Sequence, residues 1–295
     1  MTFRPALRPG APLLRRDATT LQIGTSPGVV IADRPGLYAL LRLLDGSRDV
    51  ARLQAYARSS IPELDVTVAD LMRELHALGV VFDASRWSAP QRRGLDAEAR
   101  HADLGGNDPA RLSARPALRL AFRCDATSRP LVDAARAVLA QSGVHDLDST
   151  DPHLLVIASC GEPARSLFER PTLDGLDHLP IVIDEDRVRI GPLVSPGRTP
   201  CVSCHDLHRT DWDHAWKALL PQFGGPTRAL TPPALSAVAM HAAALELAVE
   251  VLDYCDGRPV RSVGQFLVVG PEHQERSAWP LAFHHGCVCD LLSAA

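Results

Sequence analysis

Four cysteines in two short pairs are the residues of this sequence best suited to chemistry. Cys201 and Cys204 form a CxxC pair, and Cys287 and Cys289 form a CxC pair near the C-terminus. A CxxC turn presents two thiolates from one loop, and a second pair completes the tetrahedron of soft ligands that zinc prefers. The spacing therefore predicts one structural zinc ion per chain, since four thiolates leave no coordination position open. Two sets of free thiols are the alternative.

Three histidines flank these pairs. His205, His284 and His285 could each replace one thiolate, but positions beside the site or on the surface are favoured. The other three cysteines lack a partner at a useful spacing, so each is interpreted as a small buried apolar residue. They are Cys124, Cys160 and Cys255.

Two other groupings that could serve catalysis have simpler structural explanations. Ser159-Cys160-Gly161 follows a predicted strand but lacks the GxSxG context of a nucleophile elbow. The segment 211–216 is interpreted as the start of a helix, with aspartates in its first turn and Trp212 and Trp216 on one face. No catalytic residue is assigned.

The turn over residues 122–130 follows the first predicted strand of the second half and contains no glycine. Nucleotide-binding α/β proteins use glycine in such a turn so that backbone N–H groups can approach a phosphate. Asp125 would also repel an anion, although Arg123 and Arg129 could reduce that repulsion. We therefore expect no ATP binding.

Length and composition favour a two-domain, soluble, cytoplasmic protein. The chain has 295 residues, 46% hydrophobic and 22% charged. A formal net charge of −4 argues against a general nucleic-acid binder. We find no signal peptide and no apolar stretch long enough to span a membrane.

Residues 1–84 are predicted to form a winged helix-turn-helix. Short strands are expected over 13–16, 20–23 and 28–32. Helices follow from residue 37, from residue 50 and from residue 65 or 67, and Gly79 ends the third before a strand at 80–82. Residues 85–114 are polar and aperiodic, which predicts a linker.

Residues 115–295 are predicted to form an α/β domain with a mainly parallel sheet. The pattern predicts a strand at 117–122, a helix at 129–141 and a strand at 153–159. A hairpin is expected next, with strands at 180–183 and 187–190. A long Ala-rich helix at 233–254 and a late strand at 264–270 follow.

These motifs resemble a known family. The first domain is similar to the precursor-peptide recognition element that binds leader peptides of ribosomally made natural products, over residues 28–33, 37–46 and 71–81. The second resembles a ThiF-like (ubiquitin-activating-type), Rossmann-like domain. Its marks are residues 191–194, 196–201 with Cys204, and 285–289. Together they resemble the leader-binding partner, or C protein, of azoline-forming YcaO cyclodehydratases.

The resemblance implies a non-catalytic subunit. It would capture the leader of a precursor peptide and present the core to a separate YcaO protein, which uses ATP to cyclise Cys, Ser or Thr. A homodimer through the ThiF-like domain is left open. The alternatives are an active adenylating enzyme and a winged-helix transcription regulator, and the acidic composition argues against the latter.

The leader is expected to bind as an added strand on an exposed sheet edge. The edge would lie at Val29, Val30 and Ile31, and the helix ending at residue 79 would wall the groove. Arg34 and Arg73 suit an acidic leader. Two apolar residues of that helix, Leu71 and Leu75, are also assigned to the groove, with packing in the core as the competing interpretation.

Overall fold

The computed structural model describes residues 2–25, 28–85, 115–223, 233–272 and 275–290. The chain forms two compact units, Met1–Pro109 and Ala110–Ala295. The predicted linker lies, apart from residue 85, outside the described residues. In the described part of the chain, no helix combines the length and the hydrophobicity that a membrane span requires.

The first unit contains a three-stranded antiparallel sheet in the order β2-β3-β4, from β2 (Leu13–Arg15), β3 (Thr20–Ile23) and β4 (Val29–Ala32). A separate pair joins β1 (Pro5–Leu7) to β5 (Val81–Asp83). The three sheet strands and β5 lie where the sequence predicted them. Strand β1 was not predicted, and its pairing with β5 joins segments that are far apart in sequence.

The described residues of the first unit also form three helices: α1 (Leu37–Leu41), α2 (Val50–Ser60) and α3 (Val68–Ala77). The N–H of Val68, at the start of α3, donates to Gln54 Oε1 of α2 at 2.9 Å. The helices and β3 share one apolar core. Its fully buried members include Leu21, Ile23, Leu37, Leu40, Leu53, Leu71, Met72 and Leu75.

The second unit is built on a six-stranded sheet in the order β11-β10-β9-β8-β7-β6. Its strands are β6 (Leu120–Cys124), β7 (Leu154–Cys160), β8 (Asp177–Asp184), β9 (Arg187–Ile190), β10 (Gln265–Val269) and β11 (Arg276–Pro280).

The prediction of a mainly parallel sheet was wrong. Only the pairs β6–β7 and β7–β8 are parallel, while β8–β9, β9–β10 and β10–β11 are antiparallel. A two-residue turn, Glu185-Asp186, joins β8 to β9, and so short a connection can only reverse the chain. The sheet is therefore mixed, with its parallel part confined to one edge.

Helices cover both faces of this sheet. On one face lie α4 (Arg129–Gln141) and the long α8 (Ala237–Cys255). On the other lie α5 (Ser166–Leu173) and α6 (Val202–Trp212). Strand β7 serves both layers, because alternate side chains point to opposite faces of a strand. Leu154, Val156 and Ala158 pack against the first pair of helices, and Leu155 and Ile157 face the cysteine side.

The predicted helix start at 211–216 was also wrong. Helix α6 ends at Trp212, Asp213 follows it, and a separate four-residue helix, α7 (Trp216–Leu219), comes next. The break puts the two indoles in different environments: Trp212 is 81% exposed and Trp216 is 5% exposed.

A buried ion pair joins Arg115, near the start of the second unit, to Asp256 at the end of α8. Arg115 Nε and Nη2 donate to both carboxylate oxygens of Asp256 at 2.8 and 2.7 Å, and Nη1 donates to the Ser142 carbonyl at 2.9 Å. Both ionic side chains are more than nine-tenths buried. Such a pair is costly to break, because one partner is left as an uncompensated buried charge.

We expect Asp256→Ala to lower the free energy of unfolding of the second unit by about 3–5 kcal/mol. Urea denaturation of the full chain measures this change. The matched control is Asp151→Ala, which removes the exposed carboxylate paired with Arg119 and should cost at most about 1 kcal/mol. Equal urea midpoints for the two variants would contradict the stabilising role assigned to the Arg115–Asp256 pair.

Candidate metal centre

The CxxC pair lies at the start of α6. Cys201 is the N-cap residue, and Cys204 lies in the first turn, so both thiols project from one helix end. The loop before the helix is fixed by Thr199, whose hydroxyl donates to the Leu193 carbonyl at 2.9 Å and accepts the Ser195 N–H at 2.8 Å. The loop therefore delivers the pair in a defined orientation.

Gly191 starts this loop with φ +93°, a conformation that side chains rarely adopt. A Cβ at this position would lie 2.8 Å from Ser262 Cβ, so glycine is also required by the close approach.

The second pair reaches the first from the C-terminal segment. Cys201 Sγ lies 3.7 Å from Cys287 Sγ, and Cys204 Sγ lies 3.4 Å from Cys289 Sγ. All four sulfurs lie within 4.8 Å of one another. Sulfurs bound at about 2.3 Å to a tetrahedral zinc ion are separated by roughly 3.8 Å. The four cysteines thus form a cluster that could bind one metal ion, as predicted.

The cluster is enclosed by apolar residues. Cys201, Cys204 and Cys289 are buried beside Phe168 and Val194. Burial raises the pKa of the Cys201 thiol to about 11 and raises that of Cys289 as well. These thiols therefore keep their protons at neutral pH when no metal is bound, and metal binding would release protons.

The flanking histidines have partners other than the thiols. The His205 ring packs edge-on against Trp216 and Phe266, with centroids 6.3 and 5.7 Å away. His284 Nε2 lies 2.8 Å from Asp211 Oδ2, and the His285 ring stacks on that of His284. Roles beside the site, favoured from the sequence, agree with these contacts.

An ion-pair network that the sequence did not reveal holds α6 in place. Arg165 donates to both carboxylate oxygens of Asp206 at 2.7 Å and to Glu162 at 2.9 Å. Glu162 also pairs with Arg189 of β9. Burial raises the pKa of Asp206, but hydrogen bonds from His205, Arg165 and Trp216 outweigh it and lower the pKa to about 2. Asp206 of α6 is thus joined through Arg165 and Glu162 to Arg189 of β9.

The turn predicted to reject nucleotides is occupied by Asp125. Its carboxylate accepts the N–H of Ser128, at the start of α4, at 2.8 Å and the N–H of Cys160, at the end of β7, at 2.9 Å. These backbone donors lie at the carboxyl ends of the parallel strands, where α/β proteins bind phosphate. Ser159, next to them, donates its hydroxyl to the Gly161 carbonyl at 2.7 Å, so it belongs to a strand-end turn.

The residues predicted to bind peptide divide into three groups. Val29, Val30 and Ile31 lie on β4, which pairs only with β3 among the described residues, and Val30 is 43% exposed. Leu71 and Leu75 are 4% and 1% exposed and pack inside the unit. The two arginines of the set, Arg34 and Arg73, are both exposed, and Arg73 is paired with Asp70 on its own helix.

The sequence matches no family model and no curated protein. Solved structures do resemble the chain. The heterocyclase TruD has a TM-score of 0.64 and 15% sequence identity, and the match covers 97% of this chain. A heterocyclase in complex with substrate and cofactor has a TM-score of 0.66 and 15% sequence identity, and that match also covers 97% of this chain. E. coli MccB with MccA-N7isoAsn has a TM-score of 0.54 and 12% sequence identity, and the match covers 97% of this chain. The fold is the one shared by TruD and MccB.

Coverage differs between these neighbours. The chain spans 42% and 39% of the two heterocyclase chains but 99% of MccB. The likeness therefore concerns the whole of MccB and less than half of each heterocyclase. A structure of MccB with ATP also matches, with a TM-score of 0.55 at 10% identity.

Removal of one thiol tests the metal centre. We expect the purified protein to hold about one zinc ion per chain and Cys204→Ser to hold almost none, because a hydroxyl is a poor substitute for a buried thiolate. Metal content by mass spectrometry and the melting temperature should fall together, since metal binding contributes to folding. Cys255→Ser is the matched control, and it should retain the metal. A metal-free wild type with an unchanged melting temperature would contradict the prediction.

Proposed function

We propose that this chain is a peptide-binding adaptor with a structural zinc ion, which captures a leader peptide and presents it to a separate YcaO-type cyclodehydratase. The fold shared with heterocyclases and with MccB supports this proposal. The chain spans 42% and 39% of the two heterocyclase chains, and the proposal assigns the cyclodehydratase activity to a YcaO-type protein. In this proposal the first unit is a winged helix-turn-helix recognition element.

The observation that carries the proposal is the edge of β4, which pairs only with β3 within the described ranges. The Asp33 N–H donates to the Thr19 carbonyl at 2.7 Å, which fixes the alternation of bonds between β3 and β4. In an antiparallel pair, every second residue directs its N–H and C=O away from the partner strand. On β4 these residues are Val30 and Ala32, and both are exposed. Their backbone groups can bind an added strand.

The side chains along this edge suit an extended peptide. Val29 and Ile31 pack against the core of the unit but stay partly exposed, so they offer apolar surface beside the edge. Arg34 is exposed two residues beyond β4 and has no ion-pair partner in the described part of the chain. We therefore assign recognition of an acidic leader residue to Arg34 rather than to Arg73, whose charge Asp70 already offsets.

Adenylation by the chain itself is the second candidate function, and the structure of MccB with ATP is what favours it. Two features argue against it. Asp125 occupies the N–H groups that a phosphate would need. In addition, β6 is an edge strand of the described sheet, so no reversal of strand order forms a nucleotide crevice beside it.

We expect no ATP binding by calorimetry at millimolar nucleotide, because a carboxylate already bonds the backbone donors of the turn. E. coli MccB, for which a structure with ATP exists, is the positive control. Micromolar affinity in the wild type would favour the adenylating function instead.

We expect Val30→Pro in the full chain to weaken leader binding at least about tenfold without lowering the melting temperature by more than a few degrees. Proline removes an outward N–H and breaks no bond to β3, as edge strands tolerate. Val30→Ala, the matched control, keeps the N–H and should bind more tightly than the proline variant. Fluorescence anisotropy with a labelled leader from a precursor encoded beside the gene measures both. Equal affinities for wild type and Val30→Pro would place the leader elsewhere.

A further inference from the structure

A second group of metal-binding side chains lies one helical turn beyond the cysteine cluster. His208, Asp211 and His284 place ligand atoms within 4.8 Å of one another. Cys204, His208 and Asp211 are spaced i, i+4 and i+7 on α6, so they share the face along which the C-terminal segment runs. The group could be a second metal site or a support for the first.

The hydrogen bonds of His284 decide between these roles. The Gly286 N–H donates to His284 Nδ1 at 3.0 Å. A backbone N–H can only donate, so Nδ1 carries no proton, and the proton of the neutral ring is on Nε2, which donates to Asp211 at 2.8 Å. A histidine that binds metal through Nε2 keeps its proton on Nδ1. Here that proton would meet the Gly286 N–H, so a second metal ion is disfavoured.

Every polar group of His284 instead acts on the cysteine cluster or its helix. The backbone N–H points to Cys204 Sγ at 3.5 Å, and the carbonyl accepts the Cys287 N–H at 2.9 Å. Nδ1 closes the turn at Gly286, and Nε2 ties the turn to Asp211 of α6. The side chain is 5% exposed, which leaves the ring little freedom to move.

We infer that His284 is the positioning residue of the metal centre: it holds the turn that carries Cys287 in place before the metal binds, and it slows release of the metal. This inference rests on the proposed zinc site. Residues that orient metal ligands typically contribute about 10- to 100-fold to metal affinity. His208 supports the same segment, since its Nε2 lies 3.1 Å from the Ala282 carbonyl.

Zinc transfer from the full-length protein to a chromogenic chelator tests the inference. His284→Ala should weaken zinc binding at least about tenfold and speed release, while the cobalt-substituted protein keeps the spectrum of a tetrahedral four-thiolate site. His284→Asn retains an acceptor for the Gly286 N–H but cannot reach Asp211, and His284→Gln retains only the reach to Asp211. Both should fall between wild type and His284→Ala.

Asp211→Ala removes one of these bonds from an exposed position, so it provides a variant that folds. It should speed release in the wild type and add nothing in the His284→Ala background, because both remove the same bond. His285→Ala is the matched control: its ring stacks on His284 but makes no hydrogen bond among the described residues.

Three results would overturn the inference, and they differ from one another. A wild type without metal would remove the zinc site as well. One zinc per chain with wild-type release from both His284→Ala and Asp211→Ala would overturn this inference alone. Two ions per chain, one of them lost in both Asp211→Ala and His208→Ala, would make the group of His208, Asp211 and His284 a second metal site.

Discussion

The contact between α6 and the C-terminal segment is the constraint on which the second unit depends. Four sulfurs from two segments more than 80 residues apart meet within 4.8 Å. Without a metal ion, the buried thiols contribute only modest packing, because thiols are weak hydrogen-bonding groups. With one, the metal–thiolate bonds join the last described residues to the helix that follows β9. Folding of this region and metal binding are then one equilibrium.

The same unit differs from the parallel α/β sheets that bind nucleotide at the carboxyl ends of their strands. Its parallel part is reduced to three strands at one edge, and the rest of the sheet is antiparallel. Asp125 fills the backbone donors at the carboxyl ends of the parallel strands, and this bonding also joins the start of α4 to the end of β7. A carboxylate thus bonds the backbone donors that a phosphate would need, and it joins the two segments of the turn.

Elements with a regular apolar period could be predicted from the sequence. Helix α4, strand β7, the β8–β9 hairpin and the strands around residues 13–32 all lie close to the predicted positions. Helix α6 was missed because its buried positions carry Cys204, His205 and Asp206, so it has no apolar stripe. The pairing of β9 with β10 joins strands that are far apart in sequence, and no local pattern reports it.

The cysteine cluster was predictable because ligand type and spacing are local signals. The hydrogen bond beside it, between Asp211 and His284, was not predictable. The bond between Asp211 and His284 joins residues 73 positions apart. Its sequence signal is the i, i+4, i+7 spacing of Cys204, His208 and Asp211, which becomes visible only once that segment is known to be a helix. Strand β4, the proposed peptide edge, lies where the sequence predicted a strand. Leu71 and Leu75 pack in the core, since α3 has one apolar face and the unit uses it for packing.

The short length of β4 limits what strand addition alone can contribute. Val30 and Ala32 offer two N–H and two C=O groups at the edge that no other described strand covers. Four hydrogen bonds at about 0.5–1.5 kcal/mol each give roughly 2–6 kcal/mol, whereas micromolar affinity requires about 8 kcal/mol. Ordering a flexible leader on binding further reduces the net free energy of binding. In the proposed adaptor, tight and selective capture would therefore depend on side-chain contacts such as those proposed for Val29, Ile31 and Arg34, while the backbone edge would set the register of the bound peptide.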